Sequence, residues 1–151
     1  MQFRAANAAE PPAAGLLEAM VAEMRTLYGP IDAPGMPTAR PEEFAPPRGS
    51  FLVGYDEEGR AVCGGGVKRL EPGIAEIKRM YVVPAARGGG VARALLAALE
   101  DAARELGYER VRLDTGPKQP AAEHLYRSAG YRPIPDYNGN WAASFWGEKR
   151  L

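Results

Sequence analysis

Three consecutive glycines, Gly88 to Gly90, separate a strand-like run from a helix-like run, and Arg87 precedes them. Glycine has no Cβ atom, so the backbone of such a loop can approach a ligand closely. The first N–H groups of the following helix have no intrahelical partner, and the helix dipole adds roughly half a positive charge there. A strand, a glycine loop and a helix N-terminus in this order predict a site for an anion such as a phosphate group.

The residues around this loop fit two common phosphate-binding motifs poorly. A P-loop ends in Gly-Lys-Ser or Gly-Lys-Thr, and neither follows Gly90. A dinucleotide fingerprint requires a third glycine where this chain has Arg93, and its acidic residue comes earlier than Asp114 does. Both classes of nucleotide-binding protein are therefore disfavoured.

The composition limits the classes of protein to consider. The 151 residues carry 19 basic and 19 acidic side chains, so no excess of positive charge favours nucleic acid as a partner. The single cysteine, Cys63, excludes an internal disulfide and a Cys-based zinc site, so we expect no bound metal. We expect Cys63 itself to be a small buried residue. No apolar run is long enough to span a membrane, and residues 1–10 lack a signal-peptide core, so we expect a cytoplasmic protein without a membrane partner.

Hydrophobic periodicity predicts a mixed α/β order of elements. The predicted strands are residues 2–6, 50–55, 60–70, 75–83, 110–115, 131–134 and 141–151, and the predicted helices are residues 11–28, 91–106 and 120–130. The strands at 75–83 and 110–115 must be parallel, joined by a right-handed crossover. Residues 30–47 hold six prolines and predict a loop with one short helix near 41–44, either a lid or a connector. Gly64, Gly65 and Gly66 lie within a strand and predict a bulge or close backbone packing.

Three segments of the chain resemble the Gcn5-related N-acetyltransferase (GNAT) family. The first is the strand and loop at 77–92, which ends in R-x-x-G-x-A from Arg87 to Ala92. The second is A-E-H-L-Y-R-S-A-G-Y at 122–131, similar to the family pattern N-x-x-A-x-x-L-Y-x-x-x-G-F/Y, and the third is the terminal strand with Phe145 and the residues 148–151. The resemblance implies one GNAT domain over residues 1–151, an α/β fold whose mixed sheet of six to seven strands is flanked by about four helices.

The resemblance further implies that acetyl-CoA is a cosubstrate, with no metal. Backbone groups of Met80 and Val82 would pair with the pantetheine arm as a strand edge pairs with an extended peptide, and backbone N–H groups of the glycine loop would hold the pyrophosphate. Arg87 either contacts the phosphates or braces the loop, and Gln119 replaces the asparagine of the family. The implied acetyl-CoA site comprises Met80, Tyr81, Val82, Arg87, Gly88, Gly89, Gly90, Val91, Ala92 and Gln119.

Two catalytic residues are implied by the same resemblance. Tyr126 occupies the position of the tyrosine that protonates the departing CoA thiolate, and the alternative is a core aromatic on a helix face. Glu76 lies eleven residues before Arg87, the offset of the glutamate base in histone-acetylating members. Strand alternation predicts that Glu76 shares a face with Lys78, Met80 and Val82. The alternatives are a strand charge paired with Lys78 or Arg69, and deprotonation of the amine through ordered water.

The resemblance therefore predicts an acetyl-CoA-dependent N-acetyltransferase. Its acceptor would be a primary amine of a small molecule or amino-acid-like compound, which attacks the thioester directly. The alternatives are a protein N-terminal or lysine acetyltransferase and a non-catalytic CoA-binding module, and the chain would be a monomer or homodimer. Side chains in the last loop either border the acceptor site or stabilise a hairpin; they are Tyr137, Asn138, Asn140 and Trp141.

Overall fold

A computed structural model of the chain describes residues 1–30 and 39–151. The strands are β1 (Gln2–Ala5), β2 (Ser50–Tyr55), β3 (Ala61–Glu71), β4 (Ile74–Val82), β5 (Arg110–Thr115), β6 (Arg132–Pro133) and β7 (Phe145–Arg150). The α-helices are α1 (Ala13–Tyr28), α2 (Val91–Glu105) and α3 (Pro120–Ser128), and short 3-10 helices span Pro41–Phe44 and Pro84–Ala86. The strands form one mixed sheet in the order β1-β2-β3-β4-β5-β7-β6, with β4 and β5 parallel. The predicted fold class is confirmed, with three α-helices and two 3-10 helices among the described residues in place of about four helices.

A separate hydrophobic cluster lies on each face of the sheet. Helices α2 and α3 pack on one face, where Leu95, Leu99, Val111 and Phe145 are buried. Helix α1 and the 3-10 helix at Pro41–Phe44 cover the other face, where Phe44 is buried. The short helix predicted near 41–44 is confirmed, whereas the preceding part of the predicted loop, residues 31–38, lies outside the described residues. None of the described helices is long and apolar enough to cross a membrane.

Close packing explains the glycines of β3. A Cβ atom on Gly65 would come within 2.8 Å of the Leu99 side chain, and one on Gly66 would clash with the ring of Phe44. The predicted close backbone packing is therefore confirmed, because the two glycines let layers on opposite faces approach the sheet. Cys63, on the same strand, is fully buried as predicted, and burial raises the pKa of its thiol from 9.0 to about 11.

The buried face of α2 includes a carboxylate, that of Glu100. Helical periodicity predicts that Glu100 lies off the apolar face of the helix at 91–106, whereas the structure shows it 6% exposed. Its Oε2 accepts a hydrogen bond of 2.7 Å from Tyr131 Oη, and Lys149 Nζ lies 3.0 Å from its Oε1. A buried charge is tolerated when it is paired and hydrogen-bonded, so the expectation was wrong because these partners come from distant parts of the chain.

The last two strands are shorter than predicted, and residues 134–144 form a long connection between them. Side chains satisfy the backbone of this connection locally. Asp136 Oδ1 accepts the N–H groups of Asn138 and Gly139 at 2.9 and 2.7 Å, and Asn140 Oδ1 accepts the N–H of Ala142 at 3.0 Å. Asp and Asn side chains compete in this way with strand pairing, which explains why the ladder starts only at Phe145.

A bulge in β4 changes which side chains face each side of the sheet. Arg79 has a φ of +62°, and the register with β3 jumps from Gly66↔Lys78 to Gly64↔Tyr81. The extra residue reverses the alternation. Met80 packs against the cluster under α2, as Ile77 does before the bulge. The expectation that Glu76 and Lys78 share a face with Met80 and Val82 is therefore wrong.

Candidate active site

Strands β4 and β5 separate in the middle of the sheet and open a cleft. They pair only from Ile74↔Arg110 to Glu76↔Arg112, although both strands continue further. The resulting cavity has a volume of about 360 Å³. We call it the β4–β5 cleft; its lining residues include Met20, Met24, Arg25, Tyr28, Ile77, Lys78, Arg79, Met80, Asp114, Thr115, Gly116, Gln119, Tyr126 and Asn140.

The separation leaves one edge of β4 without a strand partner. Beyond Glu76, no described strand pairs with β4 on the side of β5. An unpaired strand edge presents N–H and C=O groups that can bind an extended ligand. Met80, at this edge, lines the cleft, which fits the predicted role of its backbone toward a pantetheine arm.

The glycine loop is open and lies at the N-terminus of α2. Gly88 and Gly90 have φ angles of +86° and +81°, a conformation that favours glycine. A Cβ atom on any of the three glycines would meet nothing within 4 Å, so their small size serves no packing within the chain. Gly90 precedes the first residue of α2, Val91, and no side chain caps the helix. The loop therefore borders open space at the N-terminus of a helix whose first N–H groups lack intrahelical partners, an arrangement that suits a phosphate.

Arg87 braces this loop against α1. Its two terminal nitrogens each lie 2.9 Å from a carboxylate oxygen of Glu23, and its Nε donates to the Val82 carbonyl at 2.8 Å. The guanidinium also lies over the ring of Tyr81, 5.5 Å from its centre. These contacts favour the bracing role of Arg87 over direct contact with phosphate.

Tyr126 is both a core residue and a lining residue of the cleft. Its ring is buried edge-on to Tyr131, with centroids 6.0 Å apart, and its Oη lies 3.8 Å from the sulfur of Met80. Burial raises the pKa of Tyr126 above 10, and the nearby Asp114 carboxylate raises it further. The phenol therefore keeps its proton at neutral pH and can act as a donor at the unpaired edge of β4.

Glu76 is buried beside the cleft and is not among its described lining residues. It is 4% exposed, and its Oε2 accepts a hydrogen bond of 2.6 Å from Tyr137 Oη. Lys68 Nζ and Lys78 Nζ lie 3.9 and 3.8 Å from its Oε1, so the ion pair with Lys78 that the alternative to catalysis required is present. Burial next to Glu76 strongly raises the pKa of Tyr137, which stays a hydrogen-bond donor to the carboxylate.

Sequence reasoning missed Asp114 as a residue of this site. Its Oδ2 accepts a hydrogen bond from Asn138 Nδ2 at 2.5 Å and lies 3.4 Å from Asn140 Nδ2. Asn138 Nδ2 also lies 3.4 Å from Glu76 Oε2, and the Trp146 indole donates to Asn138 Oδ1 at 3.0 Å. The signal was available, because ligands bind beyond the carboxyl ends of parallel strands and Asp114 is the penultimate residue of β5.

Gln119 and the last loop also meet at the cleft. Gln119 lies at the start of α3, and its side-chain oxygen accepts a hydrogen bond of 3.3 Å from Tyr28 Oη. Asn140 lines the cleft, whereas Trp141 is 56% exposed and not among the described lining residues. The loop residues thus connect Glu76 and Asp114 with the cleft.

Comparison with known sequences identifies relatives of this chain. The sequence model of the acetyltransferase (GNAT) family matches residues 17–131. An IAA acetyltransferase of Azospirillum brasilense is 39% identical over 90 residues, which cover 60% of this chain and 59% of that protein. An uncharacterized N-acetyltransferase of Escherichia coli (strain K12) is also 39% identical over 90 residues, with coverage of 58% and 52%. The chain thus matches little more than half the length of these curated relatives.

Comparison with solved structures extends the likeness over the whole chain. A crystal structure from Klebsiella pneumoniae, provisionally named an acyl-CoA N-acyltransferase, is 29% identical with a TM-score of 0.78, over 99% of this chain and 97% of that one. The phosphinothricin acetyltransferase of Sinorhizobium meliloti, solved in complex with AcCoA, is 20% identical with a TM-score of 0.71. That alignment covers 99% of this chain and 88% of that one, and it shows a common fold.

Proposed function

Because the chain belongs to the acetyltransferase (GNAT) family, we propose that it is an acetyl-CoA-dependent N-acetyltransferase. The acceptor is a primary amine of a small molecule or an amino-acid-like compound. The observation that carries this proposal is the position of Tyr126, a proton donor that lines the same cleft as the unpaired edge of β4. The open glycine loop at the N-terminus of α2 supports acetyl-CoA as the donor.

The reaction places defined demands on the residues of the cleft. The amine nitrogen forms a bond to the acetyl carbon, and the bond from that carbon to sulfur breaks. An alkylammonium group, with a pKa of about 10, must lose one proton before the attack. The nitrogen loses a second proton as the amide forms, and the sulfur gains one, so one proton is released to solvent overall.

Tyr126 is the proposed donor of the proton that the sulfur gains. A thiol in water has a pKa of about 8.5, well below that of this phenol. Desolvation also raises the pKa of a thiolate that departs into the same cleft, which narrows the difference. The transfer therefore becomes feasible where both groups are shielded from water.

Glu76 is the proposed acceptor of the first proton, through an ordered water. Asn138 Nδ2 contacts both Glu76 and the cleft-lining Asp114, at 3.4 and 2.5 Å. The two carboxylates are therefore no further apart than the sum of these distances, a gap that one water can bridge. Direct contact between Glu76 and the acceptor is disfavoured by its burial under Tyr137.

The experiment that tests this function measures CoA thiol release with a panel of amines, with mass spectrometry of the products. We expect an N-acetylated small amine as the product. Selective turnover of peptides would favour the protein N-terminal or lysine acetyltransferase. Binding of acetyl-CoA without amine-dependent thiol release would overturn the enzyme and leave a CoA-binding module.

A further inference from the structure

We propose that Asp114 and Lys78 form a two-charge acceptor subsite, and that the acceptor is a primary amine that also carries an acidic group, as an amino acid does. Asp114 binds the ammonium group and Lys78 binds the acid. This inference rests on the proposed function, because it names the class of acceptor.

Asp114 has one oxygen committed within the protein and one available. The contacts from Asn138 and Asn140 both go to Oδ2, at 2.5 and 3.4 Å. No donor among the described residues contacts Oδ1. The two amides thus hold the carboxylate in one orientation, and Asp114 lines the cleft with Tyr126. An ammonium group at Oδ1 would lie near the phenol that the reaction requires.

Lys78 lines the cleft on β4, opposite β5, and its ammonium group lacks hydrogen bonds. Its side chain is 15% exposed, and its contact with Glu76 Oε1, at 3.8 Å, is longer than a hydrogen bond. The group offers three donors, and none of them bonds to a described residue. These donors are available to an acidic group of the acceptor, which would form charge-assisted hydrogen bonds with them.

The charge of the described lining favours the same class of acceptor. Arg25, Lys78 and Arg79 are its cations and Asp114 is its anion. Because Lys78 and Asp114 lie on strands that separate, the structure shows no ion pair between them, and a zwitterion can serve both. A neutral amine would leave Lys78 with only its 3.8 Å ion pair to Glu76 and no hydrogen bond from its ammonium group, whereas an acidic acceptor would accept one.

The test compares acceptors that carry the acid with acceptors in which an amide replaces it. Each common α-amino acid is paired with its carboxamide, and kcat/KM is measured by thiol release. We expect the acid to exceed its amide by about tenfold or more, the effect of one charge-assisted hydrogen bond. Matching aminoalkylphosphonic acids decide between a carboxylate and a phosphoryl group as the acid.

Three variants assign the two charges. Lys78→Met is expected to reduce the advantage of the acid over its amide in kcat/KM by about tenfold, because this ratio cancels any effect that passes through Glu76 to both acceptors. Lys68→Met is the matched control, because Lys68 is 13% exposed and 3.9 Å from the same Glu76 oxygen but is not among the described lining residues; it should preserve the preference. Asp114→Asn is expected to raise KM for both members of a pair, since both carry the ammonium group.

Calorimetry on the protein saturated with CoA separates failure of the subsite from failure of the proposed function. Binding of the acid but not of the amide, without turnover, would overturn the proposed function and retain the subsite. Turnover and binding that are equal for acid and amide would overturn the subsite and retain the enzyme. The subsite would also be overturned if folded Lys78→Met kept the preference for the acid over the amide, or if Asp114→Asn left KM unchanged.

Discussion

The hydroxyl group of Tyr126 separates catalysis from packing, because the ring belongs to the core while the oxygen lies at the cleft. Tyr126→Phe removes only that oxygen, 3.8 Å from the Met80 sulfur. We expect kcat to fall by roughly 10²–10⁴-fold, the usual effect of losing a general acid. Acetyl-CoA affinity, measured by calorimetry, should stay nearly unchanged.

The matched control for this variant is Tyr108→Phe. Tyr108 donates to the Arg48 carbonyl at 2.6 Å and is not among the lining residues described for the cleft. Removal of the Tyr108 hydroxyl group should leave kcat unaltered. An unaltered kcat in Tyr126→Phe, under conditions where chemistry limits the rate, would make Tyr126 a core aromatic only.

The variant Glu76→Gln tests whether the protein supplies a base that deprotonates the acceptor amine. In Glu76→Gln the amide keeps an oxygen that can accept from Tyr137 but cannot take a proton from the acceptor. We expect kcat/KM to fall most at neutral pH and to recover partly at high pH, because more of an amine with a pKa near 10 is then already neutral. The pH–rate profiles of both proteins check this.

The lysines around Glu76 make a stability control necessary. Lys68 and Lys78 lose a carboxylate partner in Glu76→Gln, so thermal unfolding should be measured beside the rates. Superimposable pH–rate profiles for a folded variant would mean that Glu76 is a structural strand charge and that water alone carries the proton.

At the scale of elements, the pyrophosphate site is predicted at the glycine loop and the N-terminus of α2. Gly90→Asp would add a negative charge before the first turn of α2, where a phosphate is expected. We expect calorimetry to show a loss of CoA affinity of more than about tenfold, or 1.4 kcal/mol. Gly90→Asn is the matched control, since Asn has nearly the same shape and also tolerates the φ of +81°. Equal losses in both variants would assign the effect to bulk or strain, and unchanged binding in Gly90→Asp would contradict the site.

The glycines of β3 have a structural role that stability measurements can isolate. Gly66→Ala would force its Cβ against the Phe44 ring, and overpacking of this kind typically costs about 1–3 kcal/mol. Gly89→Ala is the control, because its Cβ would meet nothing within 4 Å. Denaturant unfolding should show the loss for Gly66→Ala alone, and equal stability of the two variants would contradict the packing explanation.

The elements could be predicted from the sequence where periodicity and glycine positions report local structure. Helix α2 follows from that pattern, and so does its end at Glu105, two residues before Gly107, which has a φ of +92°. The bulge at Arg79 could not be predicted, because a positive φ at a non-glycine residue has no reliable sequence signal. Asp114 and Glu100 depend on partners distant in the chain, Asn138 in one case and Tyr131 and Lys149 in the other, so their environments appear only in the folded structure.

At the scale of the whole molecule, the proposed ligand would connect parts of the fold that the cleft separates. The implied contacts are the unpaired edge of β4, the N-terminus of α2 and Gln119 at the start of α3. The core under α2 and α3 joins the same elements on one face of the sheet. A ligand that binds only the folded chain therefore stabilises all of them together.

This linkage predicts a thermal shift that depends on CoA concentration. At 100 times its dissociation constant, a ligand adds about 2.7 kcal/mol, which for a domain of this size raises Tm by about 5–10 °C. Differential scanning calorimetry with increasing CoA or acetyl-CoA should follow this dependence, and Gly90→Asp should lose most of the shift at the same ligand concentration. A Tm of the wild-type protein that stays constant up to millimolar CoA would contradict CoA binding itself. Because the shift needs no turnover, it tests donor binding independently of the acceptor: a normal shift with no amine acetylated would retain the CoA site and remove only the chemistry proposed for Tyr126.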